Sequence, residues 1–139
     1  MKLRHVMAAL AALLSSATAT AQYPTKPVTM IVPFAAGGPT DTVARQVAAV
    51  MSKSLGQTVI IENVGGAGGT IGVGKVVAAL NDGYTLLLMH IGISTAPALY
   101  RTLKYDVNKD LEPIGLVTEV PMTVIARLRT FRRKISPNL

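Results

Sequence analysis

Two stretches of this chain carry residue types whose spacing could do chemistry. The first is Phe34-Ala35-Ala36-Gly37-Gly38-Pro39-Thr40-Asp41, and the second is Gly65-Gly66-Ala67-Gly68-Gly69-Thr70. Glycine lets the backbone take conformations closed to other residues and come close to another group. Each stretch runs into a region of helical spacing, and Thr40 or Asp41 can cap the first of these helices. Unpaired amides at a helix start point outward, and the helix dipole favours negative charge there. The chemistry expected is capture of a carboxylate by backbone N–H groups.

Catalysis is not favoured. A nucleophile needs a base within hydrogen-bond reach. The histidines are His5, near the N-terminus, and His90, at the end of an apolar run, where it reads as structural. No paired carboxylates appear, and Gly-x-Ser-x-Gly is absent, so no catalytic residue is assigned and an enzyme is not expected. The chain has no Cys, which excludes disulfides and thiolate metal sites. The acids do not cluster, so neither a metal site nor a cofactor is predicted.

A phosphate or nucleotide site in an α/β enzyme domain is the rival. The dinucleotide fingerprint fails in both registers, because Ile71 and Val77 stand where it needs glycine. Gly69 to Lys75 fits the first part of a P-loop, but Val76 follows where Ser or Thr must hold magnesium. Lys75 reads instead as a solvated helix residue.

The elements that must position the two loops follow from periodicity. Val28 to Val32 is an apolar run ended by Pro33 and reads as a buried strand. A helix is predicted from about Thr40 to Leu55 on Val43, Val47, Val50 or Met51, and Leu55, with Gly56 as its stop. Thr58 to Asn63 is a continuous β-branched strand, as expected when helices cover both faces of a sheet. A second helix follows the second glycine stretch and runs to about Leu80. Tyr84 to Met89 is a third strand, and His90 to Thr95 a third loop, before a short helical segment broken by Pro97. Ile114 to Thr118 and Met122 to Ala126 are apolar runs separated by Pro121. Alternating strands and helices predict a parallel α/β sheet. Ligands of such sheets bind outside the carboxyl ends of the strands, and all three loops lie there.

The net charge of +7 suggests nucleic acid until the charges are placed. Lys2 and Arg4 sit at the start, and Arg127, Arg129, Arg132, Arg133 and Lys134 within the last thirteen residues. Between residues 22 and 126, seven bases meet all seven acids of the chain, so the middle is neutral. With no Trp and two Phe there is little surface for stacking bases, and nucleic acid is excluded as a partner. Residues 1–21 read as a secretory signal peptide: a basic start, a nine-residue apolar run from Val6 to Leu14, and the small-x-small site Ala19-Thr20-Ala21. Periplasmic localisation follows.

In order along the chain come Tyr23-Pro24-x-Lys26-Pro27, Ile31-Val32-Pro33-Phe34-x-x-Gly37-Gly38-x-x-Asp41 and Glu62-Asn63-x-x-Gly66-Ala67-Gly68-Gly69-x-Ile71-Gly72. Asp82-Gly83-Tyr84-Thr85-Leu86-Leu87, Pro97-x-Leu99-Tyr100 and Tyr105-Asp106-x-x-x-Asp110 follow. This series, over about residues 23 to 126, resembles the Bug-type periplasmic solute receptors of tripartite tricarboxylate transporters. The resemblance implies a solute-binding protein with two α/β lobes, of the periplasmic-binding-protein type II class, serving membrane transporter subunits. It implies a small carboxylate as ligand, held by backbone amides and ordered waters of the first lobe. Carried onto this sequence, the ligand-binding residues are Phe34, Gly37, Gly38, Thr40, Asp41, Gly68, Gly69, Thr70 and, in a third contact near Ile93 to Thr95, Ser94.

The chain also departs from that family, whose members are more than twice as long. The expected organisation is a signal peptide (1–21), an incomplete N-terminal α/β lobe (22–119), the start of a crossover to a second lobe (120–126), and an aberrant basic tail (127–139). Such a tail fits a frameshifted or truncated reading frame. Weak or absent ligand binding by the chain alone is expected, because good small-molecule sites bury most of the ligand.

Overall fold

A computed structural model describes residues 23–119. The expectations for residues 1–21 and 120–139 lie outside the described residues. Strand β1 (Val28–Val32) leads through the first glycine loop to helix α1 (Pro39–Leu55), and β2 (Val59–Asn63) follows. A 3-10 turn at Ala67–Gly69 opens α2 (Thr70–Val77), and β3 (Thr85–Leu87) and α3 (Gly92–Leu99) complete the order. The three strands form one parallel sheet in the order β2-β1-β3, in agreement with the α/β expectation.

The core follows from β1. Val28, Ile31 and Val32 are at most 1% exposed, because β1 is the middle strand and is covered on both faces. One cluster joins Val28, Met30, Val32 and Val59 to Ala44 and Ala48 of α1, with Val47, Met51 and Leu55 alongside. The small alanines let α1 lie close to the sheet; the expected stripe of larger residues borders this contact, and Val50 is 66% exposed. Gly56, in the left-handed region at φ 66°, ends α1 as expected.

Several boundaries differ from the sequence reading. The N-cap of α1 is Gly38, with Pro39 as the first helical residue, so Thr40 and Asp41 lie inside the first turn. Proline is pre-set for that place, having no amide to leave unsatisfied. Helix α2 ends at Val77, short of Leu80, and β3 is confined to Thr85–Leu87. Residues 93–95 are helical, in α3, and Pro97 sits within that helix without breaking it. The helix survives because the last turn still closes, Tyr100 N–H donating to Ala96 O at 2.9 Å. The apolar run beginning at Ile114 lies in neither helix nor strand, with Ile114 and Leu116 84% and 77% exposed.

Two glycines set how closely these elements approach. Gly69 has φ 93°, and a Cβ there would lie 3.1 Å from the Met89 methyl and 3.5 Å from Phe34 Cζ. At Gly72 a Cβ would fall 2.7 Å from Pro33 Cβ and 2.8 Å from Val64 O. Helix α2 therefore rests directly on the end of β1, which brings the second glycine loop against the first.

Candidate functional site

Parallel pairing puts the carboxyl ends of all three strands on one side of the sheet. Residues 33–38 leave β1, 64–69 leave β2, and 88–91 leave β3, so the three loops meet there. Phe34 lies at their centre. Its ring stacks on His90 with centroids 4.4 Å apart and planes 18° from parallel, while its edge reaches the second loop at Gly69. Tyr100, at the end of α3, places its hydroxyl over Gly68.

Asp41, in the first turn of α1, is the most informative residue beside the first loop. It is 1% exposed, yet its carboxylate is fully engaged. Gly37 N–H donates to Oδ2 at 2.8 Å, Arg45 Nε donates to the same oxygen at 2.8 Å, and Asn63 Nδ2 donates to Oδ1 at 2.9 Å. Arg45 Nη2 also donates to Asn63 Oδ1 at 3.4 Å, which closes a ring of three side chains. The bonds from Arg45, Gly37 and Asn63 together lower the Asp41 pKa from 3.8 to about 2, against the opposing effect of burial. Asn63 Nδ2 is shared with Phe34 O at 3.1 Å, so the last residue of β2 holds both ends of the first loop.

Backbone amides are among the donors left for a ligand. Ala35 and Ala36 are exposed, and their N–H groups have no hydrogen-bond partner among the described residues. Gly38 N–H is turned inward to Ala35 O at 3.3 Å, and Gly37 N–H to Asp41. The hydroxyls of Thr70 and Ser94 are committed too. Thr70 donates to Ala67 O at 2.9 Å, and Ser94 donates to Ile91 O at 2.8 Å. In this arrangement their oxygens can accept a hydrogen bond but have no proton to offer a carboxylate.

Phe34, Gly37, Gly38, Thr40 and Asp41 thus lie along one loop and the helix start it feeds, with Gly68, Gly69 and Thr70 beside them. Ser94 is on α3, beyond the third loop. Sequence reasoning passed over Asn63 and Tyr100, although both stand in the motifs quoted above. It also read His90 as structural; the ring is exposed at the meeting of the loops. Lys75, as expected, is half exposed, and it pairs with Glu62 across the surface. Among the described residues, no three His, Asp or Glu side chains gather as a metal site would require.

The family model of the tripartite tricarboxylate transporter family receptor matches residues 43–135. The chain belongs to this receptor family. A UPF0065 protein in the TAR-I ttuE-ttuC' intergenic region of Agrobacterium vitis is 57% identical over 111 residues, covering 80% of this chain and 32% of its own length. Among solved structures, the periplasmic binding protein BugD is 59% identical with a TM-score of 0.65, over 67% of this chain and 31% of its own. MatC from Rhodopseudomonas palustris, with bound malate, is 49% identical with a TM-score of 0.61, over 63% of this chain and 30% of its own. The chain spans about a third of the length of the relatives it matches. The fold is that of periplasmic binding proteins, of which it is one part. A family of solute receptors also decides against the rival reading of a phosphate-handling enzyme.

Proposed function

We propose that this chain supplies the amide-lined side of a carboxylate site in a periplasmic solute receptor, which delivers its ligand to membrane subunits of a tripartite tricarboxylate transporter. The observation that carries the reading is the junction of three strand-end loops around Phe34, with the amides of Ala35 and Ala36 pointing to no internal acceptor. Backbone amides suit a carboxylate, and the N-terminal end of α1 adds a favourable partial charge. Malate bound to MatC supports the ligand class. Phe34, Gly37, Gly38, Thr40, Gly68, Gly69, Thr70 and Ser94 are proposed to line the ligand or its waters, and Asp41 to hold the loop that does so.

Residues 1–21 are proposed to direct export and to be removed after Ala21. In this reading the loops hold a ligand from one side, whereas good small-molecule sites bury most of it, so the 139-residue chain by itself is expected to bind weakly. Amide NMR spectra of the chain titrated with malate test the site. Shifts should concentrate in residues 34–41 and 66–70. Equal or larger shifts with ATP and magnesium would overturn the carboxylate reading.

A further inference from the structure

His90 is held in one orientation by two independent contacts. Its ring lies against Phe34 at a centroid distance of 4.4 Å, and its Nδ1 accepts the Gly92 amide proton at 2.9 Å. A neutral imidazole has one donor nitrogen and one acceptor nitrogen, so Nδ1 as acceptor leaves the proton on Nε2. That Nε2–H has no acceptor among the described residues, and the side chain is exposed.

Position adds the second half of the case. Phe34 belongs to the first loop and reaches Gly69 of the second, so the imidazole stacked on it stands where all three loops meet. The amides of Ala35 and Ala36 are further unpartnered donors of this surface among the described residues. A fixed, neutral N–H beside fixed amides matches a ligand rich in acceptors. It adds no formal charge that water would have to give up on binding. We infer that His90 is a ligand-contacting residue, donating from Nε2–H to an oxygen of the bound carboxylate.

This rests on the carboxylate reading above, and the test separates the two. The full 139-residue chain, labelled with 15N, is titrated with malate while backbone amides and imidazole nitrogens are followed together. The chain has two histidines, so His90→Phe, which keeps a ring against Phe34, assigns the His90 signals by their loss. In the free protein the His90 spectrum should be that of the Nε2–H tautomer. Malate should shift Nε2 along with the loop amides, and His90→Phe should weaken malate binding about tenfold or more, as for loss of a hydrogen bond to a charged group. His90→Gln, which restores a side-chain N–H, should recover part of that loss. Loop amides that shift while Nε2 stays still would overturn the role of His90 and leave the carboxylate site standing. No shift in either set would overturn both. Matching thermal unfolding midpoints for the variants and the parent show that any loss is one of contact and not of folding.

Discussion

Asn63 donates to the buried carboxylate of Asp41 at 2.9 Å, and from the same nitrogen to the carbonyl of Phe34 at 3.1 Å. One side chain at the end of β2 thus fixes a loop that leaves β1. Removing it leaves an acceptor at each place without its donor. Asn63→Ala is expected to destabilise the fold by about 1–3 kcal/mol. Asn63→Asp should be worse, because it sets a second carboxylate against the first. Urea unfolding of the three proteins gives the ranking, and an aspartate variant as stable as the parent would refute the bridge.

Acid should weaken this brace in a defined window. The folded pKa of Asp41 is depressed, so its contribution is present above the ordinary value of 3.8 and is lost as pH falls towards about 2. The backbone bond from Tyr84 lowers Asp82, and that from Asn108 lowers Asp106, so both act with the same sign. The parent should therefore lose stability progressively below about pH 4. Asp41→Asn should lower stability at neutral pH and flatten the fall in acid. Thermal midpoints measured from pH 7 to pH 2 check both slopes.

Gly72 has no room for a methyl group. Its ideal Cβ lies 2.7 Å from Pro33 and 2.8 Å from a backbone oxygen that cannot rotate away. Gly72→Ala should cost about 1–3 kcal/mol by overpacking, in spite of alanine's better helix propensity. Gly74→Ala is the control in the same helix, because its nearest contact would be an ordinary 3.9 Å to Tyr105. Chemical denaturation should find the second variant at least as stable as the parent.

Tyr105 buries its hydroxyl with no hydrogen-bond partner among the described residues, and burial pushes its pKa up. It lines an open cavity of about 530 Å³ between α2 and residues 102–105. A hydroxyl that has lost water and gained nothing is a net cost. Tyr105→Phe should stabilise the chain by up to about 1 kcal/mol, read as a higher melting temperature. A drop of similar size would show that the hydroxyl does have a partner in solution.

The sheet was legible because β1 and β2 announce themselves as continuous apolar or β-branched runs, and Pro33, Gly56 and the glycine stretches punctuate them. The start of α1 was placed within a residue, but its cap was assigned to Thr40 or Asp41 on side-chain preference. Pro39 decides the matter, since its missing amide and fixed φ make Gly38 the natural cap. Asp41 was singled out as a ligand contact, and the structure commits its carboxylate to Gly37, Arg45 and Asn63 instead. Its burial depends on Arg45 one turn along and on Asn63 from another strand, and no local pattern reveals the second partner. The exposure of His90 was hidden for the same reason: a histidine after an apolar run looks internal until the neighbouring loop supplies a ring for it to lie on.

The sheet order has a consequence for motion. β1 is bonded on both flanks, whereas β2 and β3 each pair with it on one side. Its amides should be the slowest in the chain to exchange with deuterium, opening only when the domain unfolds. The exposed loop that leaves its end, at Ala35 to Gly37, should exchange orders of magnitude faster through small local openings. Capture of a solute would then quiet a fast-fluctuating tip mounted on the least mobile strand.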